Sequence, residues 1–212
     1  MKIYDSQTAP NPRRVRIFLA EKGIQVPYEQ VDIVKADNRS AEFRRKNPLG
    51  TLPVLELDDG TCIAQSNAIL WYLGEGSRYM PQTAFERGEV LQWLSFEQER
   101  VMSGIGSARF RIVTGRDTGV VPARLALGLT ALESLERRLD YRRWLVGDRC
   151  SIADVSIYAY AHTAPDAGYD LSEYPAVARW LELVEAEPGF VNDLAPYPEN
   201  ARPGSSASIY DG

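Results

Sequence analysis

The stretch from Asn47 to Leu55, where two prolines and a glycine lead into an apolar pair, most limits how this chain can fold. Proline cannot donate to a sheet ladder and lies at strand starts, edges or bulges, so Pro53 is predicted to begin a strand. The residue before a proline is pushed into an extended conformation. Leu52 is then expected to hold its backbone N–H and C=O outward, where they can bind an extended peptide; the simpler interpretation is an ordinary turn before a strand.

Composition excludes several classes of protein. The 212 residues are enough for one or two domains with a sizeable core, and the net charge of −5 argues against a nucleic-acid partner bound through its phosphates. Cys62 and Cys150 form no Cys-x-x-Cys motif, and with one histidine they leave little for a zinc site, so no metal is expected. Without a signal-peptide pattern or a membrane-length apolar run, we expect a cytoplasmic protein that does not bind membranes.

Local patterns before residue 79 predict strands and helices in the order βαβαββα. The first strand is expected at 2–4 and the second at 28–33. Between them, Asn11 is predicted to cap a helix that has Pro12 at its first position and that ends at Gly23. Ser40 is predicted to cap a short helix through Lys46. Such an order implies a sheet with both parallel and antiparallel pairs.

After the stretch 47–55 the sequence predicts a hairpin, a third helix and then a break in the chain. Asp58-Asp59-Gly60 predicts the hairpin, and Ile69, Tyr72 and Leu73 are expected to form the apolar stripe of a third helix, ending near Gly76. Met80-Pro81 interrupts the chain. We predict the domain boundary there, with a first domain over 1–79 and an all-helical domain over 83–212.

Capping signals mark two helices of the second domain. Thr83 with Glu86, and Ser151 with Asp154, have capping-box spacing, and the helix after Ser151 is apolar all round and therefore expected to be buried. Gly104 and Gly106 are expected to kink or break the first of these helices. The other predicted stripes are Leu91, Leu94 and Val101; Leu125, Leu129, Leu132 and Leu139 after Pro122; and Val177, Trp180, Leu181 and Val184. The stretch 196–212 is predicted to be extended or partly disordered.

The order of these motifs resembles the cytosolic glutathione transferases. Asn47-Pro-x-Gly-x-x-Pro followed by Gln65-Ser66-x-Ala-Ile is similar to their amino-terminal, thioredoxin-like domain, and the capped buried helix is similar to the central helix of their second domain. The amino terminus resembles a bacterial and fungal, theta-like or nu-like, subgroup. The resemblance implies a thioredoxin-like βαβαββα domain followed by an all-helical domain, a homodimer, and glutathione as co-substrate without a further cofactor.

In the family that this chain resembles, glutathione is held by residues whose counterparts can be named here. The resemblance implies a cis bond before Pro53, with the backbone of Leu52 pairing with the cysteine of glutathione. It implies that Gln65 and Ser66 hold the γ-glutamyl end. Asn38 falls near the position of the glycyl carboxylate, with Arg39 as its alternative.

The resemblance leaves the thiolate-stabilising group open. Related members have Ser, Thr or Cys where this chain has Ala9, which has no hydroxyl. A free thiol has a pKa of about 8.5, which a helix N-terminus and hydrogen bonds to sulfur can lower. Asn11, Thr8 and Ser6 are the candidate catalytic residues. A water held by Ser103 and Ser107 is a further possibility, and those serines, with Phe110, are candidates for the second-substrate pocket, as are Arg100, Arg109 and Arg111.

The reaction ranked first is conjugation of glutathione to a small hydrophobic electrophile. Reduction of a disulfide or peroxide, isomerisation, and a non-catalytic interaction protein of the same fold are the alternatives, and Ala9 favours the last. The cluster Arg13, Arg14 and Arg16 is interpreted as a solvated face or as part of the interdomain or dimer surface. His162 is interpreted as a core histidine with its hydrogen bonds satisfied.

Overall fold

The computed structural model describes residues 1–33, 35–197 and 201–202. The strands are β1 (Lys2–Asp5), β2 (Tyr28–Gln30), β3 (Val54–Glu56) and β4 (Cys62–Ala64). The α-helices are α1 (Pro10–Glu21), α2 (Ala41–Lys46), α3 (Ser66–Gly74), α4 (Ala84–Phe96), α5 (Ser107–Thr114), α6 (Val121–Leu139), α7 (Ile152–Ala161) and α8 (Pro175–Glu185). A π-helical segment, Glu97–Gly106, joins α4 to α5.

The four strands form one sheet in the order β2-β1-β3-β4. The β1 and β2 pair is parallel, and the β1–β3 and β3–β4 pairs are antiparallel, as the predicted element order requires. The second strand is shorter than the predicted 28–33, because Asp32 already accepts turn bonds from the backbone of Lys35 and Asp37. With α1, α2 and α3, the sheet is a thioredoxin-like domain, and the described regular elements after residue 83 are helical.

The predicted caps are confirmed for most helices. Gly23 has a φ of 65°, and its N–H and that of Ile24 donate to carbonyls in the last turn of α1, which is the Schellman pattern. The Ser40, Thr83 and Ser151 side chains each accept a backbone N–H of the helix they precede. At Ser151 both halves of the capping box are present.

The centre of the helical domain is α7, which is buried along its whole length, as predicted. A kink or break was expected near Gly104 and Gly106; instead α4 changes to a π-helical segment that begins at Glu97 and continues through both glycines into α5. Both glycines allow close approach. A Cβ at Gly104 would lie 2.5 Å from the backbone nitrogen of Gly128, and a Cβ at Gly106 would lie 2.4 Å from the ring of Tyr160.

Three predicted stripe residues face solvent instead of the core. Tyr72 is 47% exposed, Leu91 53% and Leu129 42%. Helical spacing admits two adjacent faces when apolar residues are abundant, and here the neighbouring face packs inward. The buried hydrophobic residues are Ile69, Leu70 and Leu73 on α3; Val90, Trp93 and Leu94 on α4; and Ala131, Leu132, Leu135 and Leu139 on α6. The stripe predicted on α8 is buried as expected.

The boundary between the domains stays a prediction; α3 ends at Gly74 and α4 begins at Ala84. Of the stretch 196–212, residues 198–200 and 203–212 lie outside the described residues. Within the part of the chain that the structure describes, no helix combines the length and the apolar composition that a membrane span requires.

Candidate functional site

An open cavity of about 750 Å³ lies between the sheet domain and the helical domain. Its volume is in the range of small-ligand sites. One wall consists of the loop before α1 and the first turn of that helix, and a second comes from the segment 33–52. The third wall belongs to the π-helical segment, α5, the start of α6, α7 and Tyr197.

The prediction that Asn11 caps α1 is wrong, because the helix begins at Pro10 with Ala9 at the N-cap. Both prolines fit the first turn, where backbone N–H groups have no intrahelical acceptor. The Arg13 N–H donates to the carbonyl of Ala9 at 3.3 Å. Pro10 and Pro12 have no N–H. The Asn11 N–H is therefore the one amide of this first turn with no partner among the described residues, at the positive end of the helix.

The structure brings together two predicted site residues, Asn11 and Ser66. The Ser66 hydroxyl donates to Oδ1 of Asn11 at 3.5 Å, which leaves the two N–H groups of the Asn11 side chain for a ligand. Ser66 is buried as the first residue of α3, whereas Asn11 lines the cavity. The N-terminal ends of α1 and α3 thus meet beside the cavity.

Gln65 precedes this contact in an unusual backbone conformation. Its φ is 74°, which costs a residue other than glycine about 1–3 kcal/mol. The side chain makes no capping bond to α3 and is exposed to solvent. It does not line the cavity itself, but lies next to Ser66.

Leu52 has the backbone arrangement that the sequence predicted. The Leu52–Pro53 peptide bond is cis, as the resemblance implied. Neither the N–H nor the C=O of Leu52 has a hydrogen-bond partner among the described residues, and Leu52 lines the cavity, whereas Pro53 is buried behind it. An extended backbone can pair with these two groups.

Asn38 lies on the same wall, but one of its donors is already used. Its side-chain amide donates to the carbonyl of Gly50 at 2.6 Å, and its Oδ1 is buried with no partner among the described residues. Gly50 has a φ of 63°, and a Cβ there would lie 2.8 Å from the Asn38 carbonyl oxygen. Asn38 therefore shapes this loop as well as lining the cavity. Its alternative, Arg39, lines the cavity and is exposed.

The two hydroxyl candidates before α1 differ in position. Ser6 lines the cavity and is buried, and its Oγ lies 3.4 Å from the Oγ1 of Thr8. Thr8 is half-buried and does not line the cavity. Of the two, Ser6 is therefore the better placed to meet a ligand.

The predicted second-substrate residues lie on the helical wall. Ser103, Ser107 and Phe110 all line the cavity. The Ser103 hydroxyl donates to the carbonyl of Gln98 at 2.8 Å, and the Ser107 hydroxyl accepts from Arg111 at 2.7 Å. Each hydroxyl keeps hydrogen-bonding capacity for a ligand or a water. Arg109 is buried against Asp166 instead, and neither it nor Arg100 lines the cavity.

Known proteins with similar sequence and structure settle the family. Residues 8–75 match the family model for the glutathione S-transferase N-terminal domain, and residues 120–188 match that for the C-terminal domain. Glutathione S-transferase 2 of Saccharomyces cerevisiae is 32% identical over 206 residues, covering 89% of this chain and 87% of the yeast protein. The chain belongs to the glutathione S-transferase family.

Two solved bacterial structures share the fold of this family member over nearly the whole chain. A glutathione S-transferase from Pseudomonas fluorescens is 38% identical with a TM-score of 0.86. A possible glutathione S-transferase from Rhodopseudomonas palustris is 37% identical with a TM-score of 0.88. Each comparison covers 92% of this chain and 98% of the other.

Behind the cavity of this transferase-family chain, the arginines of α1 are buried at the domain interface. The interpretation of Arg13, Arg14 and Arg16 as a solvated face is wrong, because they are at most 6% exposed; the interdomain interpretation is confirmed. Arg14 forms a two-point ion pair with Glu97 of the helical domain, with both distances 2.7 Å. Arg16 bridges Asp5 and Asp193, each at 2.6 Å.

His162 has partners, as predicted, at this same interface. Arg13 donates to its Nε2, and its Nδ1 lies 2.8 Å from the carbonyl oxygen of Tyr158. Burial, and next the charge of Arg13, lower the pKa of His162 to about 3. The imidazole is therefore neutral near pH 7, and it faces Arg13 rather than the cavity.

Neither cysteine of the chain is placed to act on a ligand in the cavity. Cys62 lies on β4 and Cys150 is fully buried; neither lines the cavity. Burial raises the pKa of both thiols, which reduces their nucleophilicity. Among the described residues no group of three or more His, Cys, Asp or Glu side chains could hold a metal ion.

Sequence patterns missed several cavity residues of this family member, among them Met102, Arg44, Arg124 and Tyr197. Arg44 was interpreted only as part of a short helix, and Arg124 and Tyr197 were not singled out. For Arg124 a weak signal exists, since no acidic residue lies three or four positions away on α6 to pair with it. Tyr197 reaches the cavity through tertiary contacts alone: its ring packs on that of Phe110 at 5.5 Å.

Proposed function

We propose that this chain is an active glutathione transferase, which binds reduced glutathione in the cavity and activates its thiol for attack on small electrophiles. The observation that supports this most strongly is the free donor group at Asn11. Its unpartnered N–H, at the positive end of α1, lies on the wall of a cavity whose sheet side also presents the unpaired backbone of Leu52. Family membership supplies the nature of the ligand.

On the sheet side, glutathione would be held along its whole length. Leu52 would pair with the backbone of the cysteine, and Pro53 would fix the bend before β3. Ser66 and the exposed amide of Gln65 would bind the γ-glutamyl end. The glycyl end would lie toward Asn38, whose second amide N–H is available, and toward Arg39.

Activation of the thiol would depend on donors at the start of α1. The ordinary thiol pKa of about 8.5 falls when the thiolate accepts hydrogen bonds near a helix N-terminus. The proton passes to solvent, and the thiolate sulfur forms a bond to an electrophilic carbon while a leaving group departs with its electron pair. Because Ala9 offers no hydroxyl, Asn11 is the first candidate, with Ser6 and Thr8 as the hydroxyl alternatives.

A glutathione-dependent reductase is the second candidate function. The same thiolate can attack a disulfide or a peroxide, and this route needs no protein thiol. The cavity lining contains no cysteine among the described residues, so a mixed disulfide with the protein is disfavoured. A non-catalytic interaction protein is the third candidate, favoured only by Ala9.

Calorimetric titration with millimolar glutathione, followed by assay with chlorodinitrobenzene, tests the proposal. We expect saturable heat and glutathione-dependent formation of the conjugate. Heat without conjugation, but with turnover of a hydroperoxide or a disulfide, would favour the reductase. If glutathione produces neither heat nor a thermal shift, the interaction protein becomes the better hypothesis.

We further propose that the chain forms a homodimer in the cytoplasm. A groove of about 770 Å³ between α3 and α4 is lined by Trp71, Leu91 and Leu94, among others, and Leu91 is half-exposed there. Family membership supports a second copy as the occupant. In light scattering at micromolar concentration, Leu91→Glu should give a monomer, whereas Leu129→Glu on α6 should leave a dimer; a monomeric unmodified chain would contradict the proposal. The two cysteines of the chain are unpaired, which supports the cytoplasm, a reducing compartment, as its location.

A further inference from the structure

The cavity has a strongly one-sided charge. Among the described residues that line it, four are arginines and none is aspartate or glutamate: Arg39, Arg44, Arg111 and Arg124. The whole chain has the opposite balance, with 29 acidic against 24 basic residues. Positive charge concentrated in a concave site focuses the field on whatever enters it.

The four arginines lie on two different walls. Arg39 and Arg44 belong to the segment 33–52, where the proposed function places glutathione. Arg111 lies on α5 and Arg124 in the first turns of α6, across the cavity. The second pair is therefore placed beside the second ligand, next to Ser103, Ser107 and Phe110.

The partners of Arg111 and Arg124 leave most of their charge uncompensated. Nη1 of Arg111 donates to the hydroxyl of Ser107 at 2.7 Å, and Nη1 of Arg124 donates to the carbonyl of Ser103 at 3.5 Å. Ser103 and Ser107 are four residues apart, so both guanidinium groups contact the same short stretch of wall. These acceptors are neutral.

Carboxylates contribute little to this wall. Among the described residues, the one acidic neighbour of Arg111 is Asp117, 3.8 Å from Nη2, beyond hydrogen-bond length and 67% exposed. The Nε of Arg111 is buried and has no hydrogen-bond partner in the described part of the chain. Arg124 has no acidic partner within the described part of the chain. A guanidinium fork in this state is suited to bind a carboxylate or sulfonate through two hydrogen bonds.

We propose that the second ligand of this site is an aromatic or otherwise apolar electrophile with an anionic group, which Arg111 and Arg124 bind. The apolar part would contact Met102, Phe110 and Tyr197, which line the same side of the cavity. This inference rests on the proposed function and replaces its hydrophobic electrophile by a narrower class. Glutathione and its acceptor would then each meet a separate pair of arginines.

Paired probes of equal shape and different charge test the proposal. Chlorodinitrobenzene is neutral, and chlorodinitrobenzoate adds one carboxylate to the same ring; thiolate attack displaces chloride from either. The Arg111→Gln/Arg124→Gln double variant should lower kcat/KM for the benzoate at least about tenfold, the range expected from losing charge-assisted hydrogen bonds. For the neutral probe, which has no anionic group for these arginines to bind, the loss should be clearly smaller. Arg137→Gln, an exposed arginine of α6, is the matched control and should change neither.

Binding without reaction separates this inference from the proposed function. Dinitrobenzoate, which lacks the leaving group, should bind the unmodified chain saturated with glutathione more tightly than dinitrobenzene does, and added salt or the double variant should remove the difference. Equal binding of the two, or an equal loss of both activities in the variant, would overturn the inference while leaving a working transferase. Charge-selective binding without any conjugation would support the anionic ligand and contradict the transferase. Arg111→Lys/Arg124→Lys should restore part of the selectivity.

Discussion

Asn11 offers three donors at one place, its backbone N–H and the two N–H groups of its side-chain amide. The backbone donor is free because an N–H in the first turn of a helix has no intrahelical acceptor, and the side chain is held by the Ser66 hydroxyl at 3.5 Å. A thiolate can therefore be stabilised here without a hydroxyl at Ala9. The side-chain contribution can be removed while the backbone donor remains.

We expect Asn11→Ala to raise the pKa of bound glutathione's thiol by about one unit, because one charge-assisted hydrogen bond contributes about 1.5–3 kcal/mol and part of the donor set remains. Turnover at pH 7 should fall, and the deficit should shrink as the pH rises. Thiolate absorbance against pH, together with the pH profile of kcat/KM, measures this. Thr8→Ala and Cys62→Ser are controls with smaller expected effects. If Thr8→Ala abolishes thiolate formation and Asn11→Ala does not, the assignment to Asn11 is wrong.

At the scale of single elements, local sequence rules predicted where helices begin and end better than they predicted which helix face is buried. Gly23, Ser40 and Ser151 stand where the sequence placed the ends of their helices, because a cap depends on neighbours within four residues. The predicted start of α1 was wrong by two residues, because Pro10 and Pro12 both suit the first position of a helix and the sequence did not decide between them. Leu91 was assigned to a buried stripe, but which face packs inward depends on distant elements.

Among these helix ends, the start of α7 should lose the most stability when its capping box is substituted. Asp154 accepts from the backbone and hydroxyl of Ser151, from the Leu145 N–H and from the Trp180 indole, all within 3.0 Å and fully buried. Asp154→Ala leaves these donors without an acceptor and should lower the free energy of unfolding by about 3 kcal/mol or more. Ser151→Ala should cost about 1 kcal/mol.

Urea unfolding of the two variants measures this ranking, with Thr83→Ala at the exposed start of α4 as the matched control. Thr83→Ala should cost no more than Ser151→Ala. An Asp154→Ala variant as stable as Thr83→Ala would show that burial does not increase the contribution of this box. Should Asp154→Ala fail to fold, Asp154→Asn, which keeps one oxygen acceptor, should still be less stable than Thr83→Ala.

At the scale of the whole molecule, the two domains meet through buried charges rather than through apolar surface alone. Arg14 and Glu97 are fully buried and paired, and Arg16 bridges Asp5 and Asp193. The sequence showed three arginines on one helix but not their hydrogen-bond partners, which lie up to 179 residues away. For the same reason the sequence did not show that the four cavity arginines share one site, because they lie on elements that come together only in the folded chain.

Glu21, the last residue of α1, is a carboxyl whose titration should be visible in the stability of the whole molecule. Both its side-chain oxygens are buried with no hydrogen-bond partner among the residues that the structure describes, and Glu187, paired with Arg78, lies nearby. Burial, and next the charge of Glu187, raise the pKa of Glu21 from 4.5 to about 8. Between these values the folded chain keeps a proton that the unfolded chain releases, so stability falls as the pH rises from about 4.5 to 8 and levels off above.

Because glutamine cannot ionise, Glu21→Gln should remove this loss. Near pH 5 the variant should have the same melting temperature as the unmodified chain. Near pH 8.5 it should melt a few degrees higher, because each kcal/mol of stability raises the melting temperature of a chain of this size by about 2–4 °C. Thermal unfolding at both pH values measures the difference, with Glu182→Gln on the exposed face of α8 as the control, for which the curves should stay parallel. A constant offset between Glu21→Gln and the unmodified chain would mean that Glu21 does not titrate in this window, and that its contribution comes from packing against the end of α1.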